Sequence, residues 1–353
     1  MAGKSRRGYL QFWPRPHGRV PSARADGTAH EAASPKQHTP HVEALVMAQV
    51  RIGISGWRYP PWRGDFYPQG LAQKHELSFA SRAVSSIELN GSFYSLQTPA
   101  HYAQWYTDTP AGFMFSVKGG RYITHTRRLK DIEVPLANFF ASGLFQLKEK
   151  LGPILWQFAP NFKFDPERFE HFLQLLPHTA QQARDLAKAS EARLHKPGYL
   201  EIPTRLKIRH AVEIRHESFA VPSFIALLRK YKVALVVADT AGKWPYLEDL
   251  TTDFVYVRLH GDAELYKSGY SDAAIEHWYE RIKCWSEGGQ VKDAQTVGKG
   301  VGGKRKGRDV FCYFDNDVKV RAPYDARSLL QRLGLEEGLA VEPGVEVDVG
   351  VLK

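Results

Sequence analysis

Cysteine is almost absent from this chain: Cys284 and Cys312 are the only two in 353 residues. Two thiols cannot build a disulfide framework or a cysteine-rich zinc site, and a reducing compartment is the expected setting. Long apolar runs are missing as well. No stretch approaches the roughly 20 residues that cross a bilayer, so the expectation is a soluble, cytoplasmic chain without a membrane role. Several catalytic signatures are also missing. There is no Gly-x-Ser-x-Gly elbow, no phosphate loop ending in Gly-Lys-Ser/Thr, and no His-Glu-x-x-His or His-x-His metal spacing.

Acid is in deficit too, and the net charge is +10. A basic chain invites a nucleic-acid reading, so the location of the excess matters. Residues 1–47 hold seven basic residues against three acidic ones, and residues 292–308 hold six against one. Residues 336–353 reverse the sign, with five acidic residues against Lys353. Body and appendages thus share the excess, which by itself argues weakly for nucleic acid.

What is present reads as one large α/β domain. The 43% hydrophobic content suffices for a sizeable core. Residues 1–47, rich in Arg, Pro, Ser and His without apolar periodicity, read as a disordered basic arm. Their Arg-biased composition suits an organellar transit peptide, but Pro14, Pro16, Pro21 and Pro35 obstruct an amphipathic helix, so a plain tail is preferred. From Arg51 onward, short apolar runs rich in β-branched and aromatic residues alternate with helical stretches. The runs are Arg51–Ser55, Ser86–Leu89, Phe113–Val117, Ile154–Phe158, Ala211–Ile214, Val233–Ala238, Phe254–Leu259 and Val310–Phe314. Runs apolar on both faces read as strands buried on both sides. The helices fall at Glu76–Arg82, Ala100–Tyr106, Leu136–Lys150, Pro166–Leu176, Val221–Tyr231, Ala273–Trp285 and Tyr324–Leu333. Eight such units predict a single (β/α)8 TIM barrel over 48–335, with a doubly wound open sheet as runner-up. Two insertions interrupt it: a charged, helical one at 178–207 (helix Gln181–His195) and a flexible, Gly- and Lys-rich loop at 288–308. An acidic tail, 336–353, follows.

In such a barrel the chemistry belongs at the C-terminal ends of the strands. There the sequence turns from apolar to charged: Ser55 and Trp57, Glu88 and Asn90, Ser116 and Lys118, Gln157, Glu213 and Arg215, Asp239, Arg258 and His260, Asp315 and Asn316. Alternate residues of a strand share a face, so the i, i+2 pairs point together into the mouth. Glu213, His260, Asp239 and Glu88 are the acid/base candidates. Lys118, Arg215 and Arg258 suit an anion, with Asn90, Gln157, His125 and Asn316 as further polar contacts. After the third run comes a basic loop, Lys118 to Lys130, containing Arg121, His125, Arg127 and Arg128. Aromatic residues accompany this edge; Trp57 and Tyr94 are the best stacking candidates, while Trp62, Phe66 and Phe93 read as packing. The bland alternative is that the charged groups pair with one another and only close the barrel top. A metal cluster is disfavoured because Lys118, Arg215 and Arg258 lie among the carboxylates, and no cofactor is expected.

Seven ordered segments resemble the YecE-like family, domain-of-unknown-function family 72: Ile54–Pro68, Glu88–Tyr94, Phe115–Lys118 with Ile123–His125, Leu151–Phe162, Glu213–His216, Asp253–Gly261 and Tyr313–Asn316. The resemblance covers about residues 51–333 and implies a TIM barrel; it assigns no activity. The arm, both insertions, the tail and Gly91 depart from the family pattern. The preferred reading is an enzyme, hydrolase or isomerase, acting on a small anionic or sugar-like substrate. The alternative is a nucleic-acid-binding protein using the basic, aromatic edge. A glycosidase is a third option; it fails if Glu88 and Glu213 are each tied into an ion pair. Oligomeric state stays open.

Overall fold

The structure is a computed structural model describing residues 48–190, 201–203, 206–299 and 306–352. The basic arm and the end of the predicted 181–195 helix lie outside the described residues. Eight strands close into a parallel barrel in sequence order: β1 Val50–Ser55, β2 Ser86–Leu89, β3 Met114–Lys118, β4 Leu151–Gln157, β5 His210–Glu213, β6 Ala234–Asp239, β7 Phe254–Leu259 and β8 Asp309–Phe314. Pairing of β1 with β8 over Val50–Ile54 completes the ring. This is the (β/α)8 barrel that the alternation of runs predicted, and the open sheet is excluded.

The helices are α1 Glu76–Ala83, α2 Gly91–Tyr94, α3 Pro99–Asp108, α4 Glu133–Ala141, α5 Pro166–Leu175, α6 Ala180–Ala187, α7 Pro222–Lys230, α8 Asp272–Ser286 and α9 Arg321–Arg332. Prolines open α3, α5 and α7, where a missing N–H costs nothing. Thr98, Asp165 and Ser271 cap α3, α5 and α8 by accepting from a backbone N–H three residues on. The expected helix Leu136–Lys150 is instead α4 followed by a 3-10 stretch, Leu144–Lys150. Gly143, at φ +106°, breaks it, and a Cβ there would meet the Pro99 backbone at 2.5 Å.

The barrel interior departs from the expected apolar filling. Small and aromatic residues share the inner layers: Ser86, Ser116, Leu155, Ala211, Val236, Tyr256 and Tyr313. Tyr256 bonds Ser116 Oγ at 2.6 Å and Tyr313 bonds Ser86 Oγ at 2.8 Å. Two large rings fit because the facing positions are small, and each buried hydroxyl finds a partner. The middle of the barrel is therefore a hydrogen-bonded floor beneath the charged mouth.

No helix joins β6 to β7. In its place, the first part of the Gly- and Lys-rich stretch lies over this flank and is pinned by two buried carboxylates. Glu248 accepts from Gln295 N (2.9 Å) and Arg281 Nε (2.9 Å). Asp249 accepts from Val297 N (2.9 Å) and Gly298 N (2.8 Å). Expected flexibility thus gives way to fixed backbone over 295–298, because the missing helix leaves apolar surface and backbone groups to satisfy. Asp249→Ala should lower stability by about 1–3 kcal/mol, the cost of stranding buried donors. Denaturant melts would measure this, and trypsin should cut faster at Lys292 and Lys299.

Candidate functional site

Arg258, fully buried near the end of β7, is the centre of the mouth. Its Nε and Nη2 grip Glu88 of β2 at 3.1 and 2.9 Å, and Nη1 donates to Glu213 of β5 at 2.7 Å. Nη2 also lies 3.0 Å from Asp315 Oδ2, just beyond β8, and 3.2 Å from Ser55 Oγ of β1. One guanidinium thus ties four strands, since its planar fork offers five donors. The two glutamates are saturated. Glu88 also accepts from Ser55 Oγ (2.8 Å) and Tyr256 OH (2.7 Å), and Glu213 from Arg215 Nε (2.7 Å) and Gln157 Nε2 (3.0 Å). Burial alone would raise the Glu213 pKa, but Arg215 and Arg258 hold its carboxyl well below the usual carboxylate range.

Above this knot opens a cavity of about 630 Å³. Its floor and polar wall are Asn90, Lys118, Gln157, Arg215, Asp315 and Asp317; Trp57, Tyr59, Phe93, Tyr94 and Trp105 form an aromatic side, and Arg58 and Tyr266 also line it. Lys118 is only 8% exposed, yet no hydrogen bond or ion pair holds its ammonium among the described residues; Nζ lies 4.7 Å from the Phe93 ring centroid. Burial, then the Arg258 charge, lowers its pKa. Gly119 behind it has no room for a side chain, because a Cβ would fall 2.3 Å from the Trp156 ring. Asn90 donates to Ser55 Oγ at 3.1 Å, and its buried Oδ1 has no partner.

The two aspartates of the β8 exit differ. Burial opposes ionisation of Asp315, but Arg258 and His260 hold its carboxyl far below the ordinary range. Asp317 is pushed up to about 6 by burial and by the neighbouring Asp315 charge. The cavity therefore holds one fixed carboxylate and one carboxyl that exchanges its proton near neutral pH, the division of labour that acid/base sites use.

The expected residues divide accordingly. Lys118, Arg215, Asn90, Gln157, Trp57 and Tyr94 meet at the cavity, Tyr94 as a rim residue 70% exposed. Glu88, Glu213 and Arg258 come together beneath it, each glutamate tied into an ion pair, the condition under which the glycosidase option fails. His260 is buried at their side: Nε2 is 3.3 Å from Arg258 Nη1, and Nδ1 is 2.8 Å from Asp315 Oδ2 without the alignment of a hydrogen bond. It orients the knot and does not line the cavity. His125 packs edge-on against Phe93 at 5.1 Å, and its pKa falls to about 4 through burial and the nearby Arg215 and Lys118 charges. Asp239 and Asn316 belong elsewhere. Asp239 bonds Tyr270 OH (3.0 Å) and lines a separate cavity with Asp262 and Asp293; Asn316 donates to Asp325 Oδ2 (2.7 Å).

Asp317, Tyr256, Trp105 and Phe93 were not among the predicted site residues, and Asp315, though placed at the strand ends, was given no role. Strand parity was the available signal for Tyr256 and Asp315. Phe311 and Tyr313 point inward, so Asp315 continues their face and Asn316 does not. In the basic loop, Arg127 pairs with the exposed Asp131 (2.6 Å), which offsets one charge in part, and Arg128 donates to the neutral amide of Asn161 (3.0 Å). No group of three or more His, Cys, Asp or Glu residues is placed to hold a metal ion among the described residues, and no described helix is long and apolar enough to cross a membrane.

Arg258→Met should destabilise the chain by at least about 3–5 kcal/mol, since it strands buried carboxylates; Arg258→Lys should not rescue it, because an ammonium cannot make the fork. Chemical denaturation measures both. Because the folded-state pKa of Asp317 is raised, the native state holds its proton longer than the unfolded chain, and its effect on stability worsens as pH climbs from about 4 through 6. Asp317→Asn should therefore gain about 1–2 kcal/mol at pH 7, a figure discounted for partial exposure, and nothing at pH 3.5. A pH series of melts on both proteins reads the difference.

Comparison with known proteins agrees with this architecture. A family model described as "Protein of unknown function DUF72" matches residues 51–346. The chain is 30% identical over 121 residues to the UPF0759 protein YunF of Bacillus subtilis (strain 168), a match covering 32% of this chain and 41% of that protein. It is similar in structure to a DUF72 family protein of Thermotoga maritima MSB8, with a TM-score of 0.59 and 24% identity over 81% of this chain and 99% of the other. A DUF72 family protein of Enterococcus faecalis V583 gives 0.56 and 19% over 81% and 96%. The family model runs from β1 to beyond α9, and the chain belongs to the DUF72 family.

Proposed function

We propose that the barrel mouth is the active site of an enzyme acting on a small polar molecule, anionic or sugar-like, by acid/base chemistry. The observation that carries this reading is Lys118, a largely buried side chain whose ammonium opens on the cavity without a protein acceptor. An ammonium that opens on a cleft and has no protein partner marks a place where a ligand can supply one. Asn90 Oδ1, by contrast, is a buried atom without a partner, an acceptor suited to a substrate hydroxyl.

In this reading Lys118 and Arg215 take the negative or oxygen-rich end of the substrate. Trp57, Phe93 and Trp105 face its carbon skeleton, as aromatic rings face sugars. Asp317 gives and takes the proton, because a carboxyl titrating near 6 is effective in both directions around neutral pH. Asp315 stays ionised beside it and opposes premature loss of that proton. Proton transfer of this kind serves isomerisation and hydrolysis alike.

The test is a thermal-shift screen of the full chain against sugar phosphates, sugar acids, nucleotides and short oligonucleotides at low and moderate salt. A sugar-sized anion at about a hundred times its Kd should stabilise by about 2.7 kcal/mol, a shift of several degrees that Lys118→Ala abolishes. Stabilisation by oligonucleotides alone, lost in moderate salt, would replace the enzyme with a nucleic-acid binder.

A further inference from the structure

We infer that Lys118 is an amine nucleophile and that the substrate is a carbonyl compound, an aldehyde or ketone of sugar size, held as a protonated Schiff base. This rests on the reading of the mouth as an active site and narrows it to a substrate class. A second buried lysine in the same chain provides the contrast. Lys150 is 4% exposed, and its ammonium donates to Tyr106 O (2.7 Å), Thr109 O (2.7 Å) and Thr109 Oγ1 (3.0 Å). That is how a buried lysine is kept as a structural cation. Lys118 has none of this and instead lines a cavity that admits a small molecule.

Its surroundings lower its pKa toward the free amine. Desolvation comes first, and the Arg258 guanidinium adds to it against the pull of Glu88, Asp315 and Glu213. A desolvated lysine beside another cation is a recognised way to make an amine nucleophilic at neutral pH. If the site needed only a cation for an anionic group, Arg215 and Arg58 already line the same space as fixed charges.

The step balances without an oxidant or a cofactor. The neutral amine nitrogen adds to the carbonyl carbon, forming C–N, while the carbonyl π pair moves to oxygen and takes a proton from Asp317. The nitrogen then gives a proton to the Asp317 carboxylate, which passes it to the hydroxyl; the nitrogen lone pair forms C=N as the C–O bond breaks and water leaves. Counted from the ammonium, Lys-NH3+ and O=CR2 become Lys-NH+=CR2 and H2O. The iminium withdraws electrons from the adjacent carbon, so a proton or a carbon substituent there is more easily removed.

The experiment traps the iminium in the full-length chain. The protein is incubated at pH 7 with sodium cyanoborohydride and, separately, formaldehyde, glycolaldehyde, pyruvate or dihydroxyacetone phosphate, and adducts are mapped by peptide mass. The expected result is reduced adduct on Lys118 ahead of the exposed lysines with at least one probe, slowed about 100-fold in Asp317→Asn, the scale of a lost general acid. The wild-type map is itself the readout, so misfolding of a variant does not blunt it. Labelling of exposed lysines ahead of Lys118 with all four probes overturns the inference. If a sugar acid still shifts the melting temperature in a Lys118-dependent way, the active-site reading survives with Lys118 as a charge holder; if nothing binds, both fall.

Discussion

A single guanidinium inside a barrel organises this protein. Arg258 faces Glu88, Glu213 and Asp315, and the strands carrying them are spread around the ring. Three carboxylates around one cation leave negative charge to be matched, and Arg215 supplies the nearest further match through Glu213. Removing that many charges from water costs several kcal/mol per ion before attraction repays it. A barrel needing only closure could fill the same layer with Val and Leu, as barrel cores commonly do. The knot is better understood as a rigid foundation, which fixes Asp315, Gln157 and Arg215 at the cavity floor with little freedom to wander.

The floor below it serves the same end. Tyr256 reaches from β7 to Glu88 on β2, across the barrel, and Ser116 completes the other side of its hydroxyl. A carboxylate so held has no remaining lone pair for chemistry. This separates support from reaction: saturated glutamates underneath, and above them groups with capacity to spare, namely Lys118, Asn90 Oδ1 and the Asp317 carboxyl. Saturation, more than residue type, distinguishes the two sets.

The fold was legible because eight short apolar runs, rich in β-branched and aromatic residues, recur with helical stretches between them, the mark of parallel strands buried on both faces. The site was legible in part. Pairs such as Glu213 and Arg215 do share a face, but which charged residues would be spent on one another depends on distances across the barrel that no single strand contains. Asp239 and Asn316 misled because they are polar at strand ends; parity puts Ala238 and Asp315 inside in their stead. Asp317 was hidden for a different reason, since it sits past the last strand residue and its character comes from burial beside Asp315. Among the described residues, the Gly- and Lys-rich stretch was misjudged at 295–298, where its partners are carboxylates far earlier in the chain.

That last arrangement bears on how the protein is made. The flank beside β6 is covered by backbone near residues 295–298, which lies beyond β7 and α8 in sequence. Chains emerge from the ribosome N-terminus first and fold in part as they emerge. When β6 and β7 have appeared, Glu248 and Asp249 still wait for their backbone donors, and the surface they will anchor is bare. This side of the barrel thus stays uncovered until residues 295–298 emerge, after β7 and α8 and just ahead of β8, the strand that closes the ring.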